Sequence, residues 1–464
     1  MDPRSLLREH MLTLCDELEG LDQPVLADAI AEVRGSMSQP LRLAVVGRVK
    51  AGKSTLVNAL IGRQVAPTSD EECTRVVTWY TYGSPERAEL VLLDGSTLPV
   101  PFDGALPDDL GVAVEAVSHA VVYLQEGALR EFVLIDTPGL ATTTVENEEA
   151  TRRQVLGDDA ATRADALIYV FRDVQRADDI EFLEEFNRMS GDAERTSTTS
   201  IGVLSHADDF AEGPWGSTDP IDLASGYAVT IARQRASQLG AVVSVAGKLG
   251  EAARTGLVTE ALARSMAKAA PLSDRQLEEP DAALDAIAAA LGDYGLRHGR
   301  AHAGAGAAGL SAWLLERSGV ARLQQLIRAR YLDRYPHVKA AHSLARFELL
   351  AYEADNRREV REIIEQARAH AALHPLRELA ALESVSTRRS AGDIVATLER
   401  LIDAPDDRRR VEARNGADST EIAERARELA IDAQREATLA GTSVETEAWR
   451  VIARSYLLAA QRQG

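Results

Sequence analysis

The sequence feature that most constrains the fold is the stretch VVGRVKAGKSTLVNAL, residues 45–60. It carries the pattern GxxxxGK[ST] between an apolar segment and an amphipathic one. In this pattern a strand, a loop and a helix follow one another, and the N–H groups of the loop surround phosphate oxygens at the positive end of the helix dipole. The stretch therefore predicts a nucleoside triphosphate site in an α/β domain.

Six further apolar segments are typical of strands. They are RVVTWYTY, AVVYL, EFVLIDTPG, ALIYVF, SIGVLS and AVVSVAG, and helical segments such as DDIEFLEEFNRM separate the later ones. The segment YLQEGALREFV is expected to form two extended pieces joined by a turn at Gly127. Strands that alternate with helices predict a doubly wound, mostly parallel sheet.

The patterning divides the chain into three parts. Residues 1–38 hold an N-terminal helix that we expect to join a helical bundle, because a short isolated helix is marginal in water. Residues 39–334 form the α/β domain, with a helical segment at about 250–315. Residues 335–464 form a C-terminal helical bundle, because their apolar stripes are narrow and the opposite faces are charged.

Composition and charge exclude several functional classes. The net charge of −20 indicates that nucleic acid is not a partner, since phosphate backbones require clustered Lys and Arg. The N-terminus is acidic, unlike a signal peptide, and no run of about 18 apolar residues predicts a membrane-spanning helix. We therefore expect a cytoplasmic protein whose two cysteines, Cys15 and Cys73, are reduced.

The phosphate-binding loop assigns a task to each residue type. Gly47 and Gly52 are expected to let the backbone curl around phosphate oxygens. Lys53 is expected to reach the β- and γ-phosphates, and the hydroxyl of Ser54 to bind Mg²⁺. The nucleotide-binding residues that we expect in this loop are Gly47, Lys50, Ala51, Gly52, Lys53, Ser54 and Thr55.

A second motif, LIDTPGL, follows an apolar strand and contains the spacing DxxG. Asp136 stands at the end of that strand, where a carboxylate can hold Mg²⁺ through water. The N–H of Gly139 can then bind the γ-phosphate and respond to its loss. We therefore predict a nucleotide switch that uses Mg²⁺ as its cofactor.

A third element, SDEECTRVVTWY, lies in the first connection after the helix of the loop. A threonine is needed there to bind Mg²⁺ with its hydroxyl and to position water. Thr74 is the predicted residue because it directly precedes the strand. Thr68 and Thr78 are the alternatives, and Thr74 could also be only the residue that begins the strand.

A fourth element, VLSHADDF, concerns the base. Guanine presents N1–H and an N2 amine, which one carboxylate accepts together, and GTP-binding proteins place that aspartate in [NT]KxD. Asp208 occupies this position, while Ser205 and His206 replace the usual Asn or Thr and Lys. An imidazole can stack on the base in place of the lysine stem. Ala246 and Gly247, after the last strand, are expected to bring backbone N–H groups to guanine O6.

The second lysine of the loop, Lys50, has no role in the basic pattern. Phosphoryl transfer depends on positioning and on charge neutralisation more than on proton abstraction. A cation at this point could offset charge on the phosphate oxygens in the transition state, as an arginine finger does. Lys50 could equally be a solvated lysine at the edge of the loop. The predicted catalytic residues are Lys50, Lys53, Thr74 and Gly139.

Five motifs together resemble a known family. GRVKAGKSTLVNALIG, APTSDEECTRVVTWY, LIDTPG, VLSHADD and LLERSGVARLQQLI are similar to the bacterial dynamin-like GTPases, in particular the actinobacterial isoniazid-inducible branch of the IniA/IniC type. The resemblance covers most of residues 38–345. It implies an α/β GTPase domain with a helical neck or stalk, and it places Lys50 and Thr74 at catalytic positions.

The resemblance also implies a function. Such GTPases bind nucleotide weakly, dimerise through their GTPase domains and couple hydrolysis to membrane fusion or fission, and in this branch two different dynamin-like chains often act as a pair. The expected partners are GTP and GDP, a second dynamin-like chain or a second copy, and the inner face of the cell membrane as a peripheral surface. One alternative is a nucleotide-binding interaction subunit with little hydrolysis that binds a catalytic dynamin-like partner. Another is a soluble switch GTPase.

Two segments could contact lipid. HAGAGAAGLSAWLL, residues 302–315, would do so through exposed apolar residues at a helical turn. APDDRRRVEARNG, residues 404–416, would do so through its basic side chains. The first could instead be a connection inside the α/β domain, and the second a solvated run of charge.

Overall fold

The structure is a computed structural model, and it describes residues 3–67, 76–107, 109–139, 164–172, 180–185, 200–235, 238–279, 281–332, 335–386, 391–404 and 406–463. The chain divides into two compact units. Pro40–Leu332 form the first, here called the α/β unit. Met1–Gln39 and Asp333–Gly464 form the second, here called the helical unit. The predicted Thr74 and its alternative Thr68 lie outside the described residues.

The α/β unit contains one sheet of nine described strands. The strands are β1 Leu41–Gly47, β2 Thr78–Tyr82, β3 Arg87–Leu92, β4 Thr97–Val100, β5 Val117–Leu124, β6 Phe132–Asp136, β7 Ala166–Phe171, β8 Ser200–Ser205 and β9 Ala241–Val245. Their order is β4-β3-β5-β2-β6-β1-β7-β8-β9. From β6 through β1, β7 and β8 to β9 every pairing is parallel, so the predicted mostly parallel sheet is confirmed.

The strands β3 and β4 were not predicted. They pair antiparallel with each other and extend the sheet beyond β5. Most residues of β4 are exposed, so this strand lacks the apolar run that marks a buried strand in sequence. A short 3₁₀ helix, Gly127–Arg130, joins β5 to β6 where the sequence predicted a turn.

Helices surround the sheet within the α/β unit. They are α3 Lys53–Ile61, α4 Pro220–Gln234, α5 Gly247–Arg254, α6 Glu260–Ala269, α7 Asp274–Leu277, α8 Ala282–Gly299, α9 Gly306–Ser318 and α10 Val320–Ile327. The largest described core of this unit unites the inner faces of β1, β6, β7 and β8 with residues of α4, α5, α6, α8 and α9. The helices after β9 are therefore an integral part of the α/β unit.

The helical unit contains α1 Pro3–Glu19, α2 Pro24–Ser38, α11 Tyr335–Ala351, α12 Arg357–Ala369, α13 His374–Ser386, α14 Gly392–Asp403, α15 Asp407–Arg410, α16 Ser419–Leu439 and α17 Ser443–Gln463. One apolar cluster joins α1 and α2 to α11 and α12. A second joins α13, α14, α16 and α17. Pro24 begins α2, because proline fits the first turn of a helix. Gly35 lies inside the same helix.

The segment 302–315 does not present an apolar surface. Leu310 and Leu314 are 0% exposed. Trp313 stacks on His302 and Tyr294, with ring centroids 4.7 Å and 6.3 Å away. A lipid-contacting helix needs exposed apolar side chains. The prediction that this segment contacts lipid is therefore wrong.

The basic segment 404–416 folds around α15. Arg410 donates two hydrogen bonds to the buried carboxylate of Glu378. Arg408 lies 3.9 Å from the carboxylate of Asp406, and Arg414 pairs with Glu421. The charges of these three arginines are compensated within the helical unit, so they give no support to a lipid-facing turn. Across the described residues, no helix has both the length and the apolar character needed to cross a bilayer.

Candidate nucleotide-binding site

The phosphate-binding loop begins where β1 ends, close against β7. A side chain on Gly47 would place its Cβ 2.2 Å from the carbonyl oxygen of Val170. No L-residue with a side chain fits there. Gly47 is therefore required by the close approach of two neighbouring strands, and not, as predicted, by a curl of the loop.

The loop itself is a tight turn that ends at α3. Gly52 has φ +88°, in the left-handed region that favours glycine. Lys50 also has a positive φ, +62°, and its side chain is exposed. The N–H of Ala51 and the ammonium of Lys53 both donate to the carbonyl of Arg48, at 3.2 Å and 3.1 Å. The loop thus holds the ammonium of Lys53 at its own backbone, beside the N-terminus of α3.

Two of the three predicted magnesium ligands, Ser54 and Asp136, lie together. The Ser54 hydroxyl on α3 donates to Asp136 at the end of β6, with 3.4 Å between the oxygens. Asp136 is 0% exposed. A hydroxyl and a carboxylate are oxygen ligands of the kind that Mg²⁺ prefers, so this pair fits the ion that the sequence predicted. Among the described residues there is no cluster of three or more His, Cys, Asp or Glu side chains that could hold a metal.

Two further residues of the second motif, Thr137 and Gly139, contact β1 and the phosphate-binding loop. The hydroxyl of Thr137 donates to the carbonyl of Val45 at 2.9 Å. A Cβ on Gly139 would lie 2.7 Å from the backbone nitrogen of Val49. Gly139 therefore approaches the phosphate-binding loop closely, as a residue that contacts the γ-phosphate must.

Thr78, one alternative to Thr74, is described. It lies on β2 directly opposite Asp136 in the antiparallel pair. Its side chain is 3% exposed, and its hydroxyl donates to the carbonyl of Val76 at 3.2 Å. The hydroxyl of Thr78 is therefore engaged by the main chain directly before β2.

The base motif begins at the end of β8. Ser205 donates its hydroxyl to the carbonyl of Phe171 on β7 at 3.1 Å. His206 follows with φ +53°, and its Cε1 lies 3.3 Å from the point that a Cβ on Gly52 would occupy. Burial, followed by the charge of Arg172, lowers the pKa of His206. A neutral imidazole thus packs against the phosphate-binding loop, where the motif usually has a lysine stem.

Asp208 faces a cavity of about 400 Å³. The cavity is also lined by Gly52 and Thr55 from the loop and by Gly247 and Lys248 from the start of α5. Burial raises the pKa of Asp208, and the positive charges of Lys248 and Arg172 oppose that rise. The cavity therefore joins the phosphate-binding loop to a carboxylate suited to the guanine edge.

The two small residues after β9 differ in position. The N–H of Ala246 donates to the carbonyl of Ser318 at 2.9 Å, so it is engaged within the protein. Gly247 lines the cavity, and a Cβ there would lie 3.4 Å from the side chain of Thr55. The predicted contact of Ala246 with guanine O6 is therefore wrong, and Gly247 is the member of the pair at the site.

The structure adds polar residues that the motifs did not identify. Lys248 lines the cavity directly after Gly247, and the run VAGK is the sequence signal that could have found it. Glu251 lines the cavity one turn later on α5 and accepts a hydrogen bond from Asn58 on α3 at 2.7 Å. No local pattern relates Asn58 to Glu251, because they are far apart in the chain and meet only through helix packing.

A strand, a phosphate-binding loop, a serine–aspartate pair for Mg²⁺ and a carboxylate for a base are the parts of a P-loop GTPase site. The family model described as 50S ribosome-binding GTPase matches residues 42–200. This match covers the loop, Asp136 and the first residue of β8. The α/β unit is therefore a GTPase domain.

Three relatives narrow the class. The isoniazid-induced protein IniC of Mycobacterium tuberculosis is 34% identical over 234 residues, which are 49% of this chain and 46% of IniC. IniA of the same organism is 31% identical over 157 residues, 30% of this chain and 24% of IniA. A bacterial dynamin-like protein of Nostoc punctiforme is 32% identical over 123 residues, 23% of this chain and 18% of that protein.

The matched region thus spans less than half the length of each of these relatives. The resemblance predicted from the motifs is confirmed: the chain is similar to the bacterial dynamin-like GTPases, and in particular to IniC and IniA.

Proposed function

We propose that this protein binds GTP and hydrolyses it to GDP with Mg²⁺. The supporting observation is the cavity of about 400 Å³, which has Gly52 of the phosphate-binding loop on one side and Asp208 on the other. A guanine nucleotide needs both ends at once: N–H groups for its phosphates and a carboxylate for its N1–H and N2 amine. The pair of Ser54 and Asp136 lies beside the same loop.

The proposed roles of the residues follow from their positions. Lys53 leaves the carbonyl of Arg48 and donates to the β- and γ-phosphates, while the N–H of Gly139 contacts the γ-phosphate. Ser54, Asp136 and Thr74 would hold Mg²⁺, and the ion would supply charge neutralisation at the phosphate oxygens. Asp208 accepts from the guanine edge, and the neutral ring of His206 lies between the base and Gly52.

Lys50 is proposed to act on the transition state. Its exposed side chain extends from a residue of the phosphate-binding loop that has a positive φ. From there the ammonium can turn toward the bound phosphates. A charge that acts mainly when negative charge develops lowers the barrier without strengthening binding of the ground state.

Assembly and membrane contact are the remaining parts of the proposal. The protein is proposed to dimerise through its GTPase domain, with a second copy or a second dynamin-like chain. Hydrolysis would be coupled to remodelling of a membrane that the protein contacts peripherally, at the inner face of the cell membrane. The proposal is supported by the similarity of the chain to bacterial dynamin-like proteins and by the presence of a helical unit beside the α/β unit.

The deciding experiment measures GTP hydrolysis against protein concentration, with and without anionic liposomes, and uses Lys53→Ala as the negative control. A turnover rate per molecule that rises with concentration supports catalytic dimerisation. Cosedimentation with the liposomes in any nucleotide state supports membrane contact. If the chain binds GTP but hydrolyses none under any of these conditions, the enzymatic proposal fails and a nucleotide-binding interaction subunit remains.

A further inference from the structure

The base cavity has one wall that no nucleotide-binding motif supplies. Ala289 and Ala290 on α8 line the cavity together with Asp208 and Lys248. These alanines belong to the helices that follow the last strand, which pack into the core of the α/β unit. The helix α8, which belongs to none of the nucleotide-binding motifs, therefore forms part of the wall of the base cavity.

Gly292 shows how closely α8 approaches the base carboxylate. It interrupts α8 with φ 75° and ψ 166°, a region of backbone conformation that is essentially restricted to glycine. A Cβ at this position would lie 3.6 Å from Oδ2 of Asp208 and 3.6 Å from Cδ of Lys248. The backbone of α8 thus reaches the carboxylate with no side chain between them.

The chemistry of guanine indicates which edge of the base meets this wall. Asp208 accepts N1–H and N2–H together, so the C2 edge of the base points toward the carboxylate. Ala289 lines the cavity, and Gly292, three residues later in α8, lies beside the carboxylate of Asp208. The C2 edge of a bound guanine therefore lies next to α8.

We propose that Ala289, Ala290 and Gly292, here called the α8 wall, determine specificity at the C2 edge of the base. The wall accepts the unsubstituted N2 amine of guanine and rejects guanine nucleotides that carry a bulky group on N2. This inference rests on the proposed function, because it assumes that Asp208 receives a guanine.

The small size of the residues in the α8 wall determines which groups on N2 the site accepts. Alanine and glycine leave room for an amine but present a fixed backbone behind it. An added side chain there occupies the space of the amine, and overpacking of this kind is costly in a site with a rigid wall. A matched control exists on the same helix, because Ala286 is exposed like Ala289 but does not line the cavity.

The experiment uses the full chain and two variants, Ala289→Leu and Ala286→Leu. Both substitutions keep a good helix former at an exposed position, and equal melting temperatures verify that both variants fold. Calorimetry measures the Kd of GDP, of inosine diphosphate, which lacks the N2 amine, and of N2-benzyl-GDP.

The parent chain is expected to bind N2-benzyl-GDP at least about 100-fold more weakly than GDP. Ala289→Leu is expected to weaken the binding of GDP by about tenfold or more and the binding of inosine diphosphate by less than about threefold, because the added side chain overpacks the C2 edge. Ala286→Leu should leave both affinities unchanged.

Three results would overturn the inference. They are equal GDP affinity in the two variants, equal weakening of GDP and inosine diphosphate in Ala289→Leu, and parent affinity for N2-benzyl-GDP similar to that for GDP. A parent chain that binds neither GDP nor GTP refutes the proposed function itself, and with it this inference.

Discussion

Replacing Asn58 with alanine is expected to destabilise the α/β unit strongly. The Asn58 side chain is 1% exposed. Its Nδ2 donates to the carbonyl of Ala66 at 3.0 Å and to Oε1 of Glu251 at 2.7 Å. Its Oδ1 accepts from the N–H groups of Val65 and Ala66 at 2.9 Å and 2.8 Å. The amide of Asn58 therefore connects the backbone of Val65 and Ala66, which follow α3, to the buried carboxylate of Glu251 on α5.

The magnitude follows from what the alanine leaves behind. Two backbone N–H groups, one carbonyl and the Glu251 carboxylate each lose a partner in a buried place. At about 1–3 kcal/mol for each buried group left unsatisfied, and with partial relaxation, the expected loss is about 4 kcal/mol. Burial already raises the pKa of Glu251, and the hydrogen bond from Asn58 opposes that rise. The loss of Asn58 thus makes the charge on Glu251 more costly.

Tryptophan fluorescence during urea unfolding can isolate this unit. Three of the four tryptophans, Trp79, Trp215 and Trp313, lie in the α/β unit, and Trp449 lies in the helical unit. In a Trp449→Phe background the signal reports the α/β unit alone, which avoids mixing two transitions. The exposed amide Gln125 is the matched control, because Gln125→Ala should cost less than about 0.5 kcal/mol.

A double substitution separates the charge from the rest of the network. In the Asn58→Ala background, Glu251→Gln removes the uncompensated charge and should recover about 1–2 kcal/mol. In the parent, the same change keeps an oxygen that accepts from Asn58 and should have a smaller effect. If Asn58→Ala destabilises no more than Gln125→Ala, or Glu251→Gln recovers nothing, the assigned role of this network is refuted.

Four further outcomes are expected. Lys53→Ala should abolish GTP binding in a calorimetric titration. Lys50→Ala should leave the Kd of GTP within about twofold and lower the turnover rate at least about tenfold. Equal losses of binding and turnover in Lys50→Ala would exclude a catalytic role for Lys50. Asp208→Asn should shift preference from guanine toward xanthine nucleotides, and unchanged GTP affinity would remove Asp208 from the site. Burial raises the pKa of Asp208 above its ordinary 3.8, and only the ionised carboxylate accepts the two hydrogen bonds of guanine. The affinity for GDP should therefore be full above the raised pKa and should fall as the pH drops through it. A GDP affinity that does not change down to pH 3.8 would contradict this. Burial also raises the pKa of Cys15 to about 11, so in a Cys73→Ser background the thiol should react with a thiol reagent only when the chain unfolds, and rapid reaction of the folded chain would show that Cys15 is accessible.

Local patterns predicted the parts of the site that depend on neighbouring residues in the chain. The loop around Lys53 follows the apolar strand β1, Asp136 ends the apolar strand β6, and Asp208 lies three residues after the apolar strand β8. The C-terminal ends of neighbouring parallel strands share one edge of the sheet, so these residues meet. For the same reason the mostly parallel sheet could be predicted from the spacing of its apolar segments.

The remaining features depend on contacts between distant parts of the chain. The N–H of Ala246 binds Ser318, and nothing near Ala246 in sequence indicates that partner. Gly292 is one glycine in an alanine-rich helix, and its contact with Asp208 exists only because α8 packs beside the base cavity. The strand β4 was missed because most of its residues are exposed, and β3 was missed because only two of its six residues, Ala88 and Leu90, are buried. Pattern analysis detects buried faces, and it does not detect which buried faces meet.

The division of the chain has a consequence for its synthesis. The helical unit is discontinuous, since α1 and α2 pack with α11 and α12, while Pro40–Leu332 fold as a separate unit between them. At translation rates of about 5–20 residues per second, roughly 15–60 s separate the appearance of α2 from that of α11. During that interval α11 has not yet been synthesised. It therefore cannot pack against the apolar face of α1, which includes Leu7, Met11 and Leu14. The helices α1 and α2 thus leave the ribosome well before the helices that complete their packing.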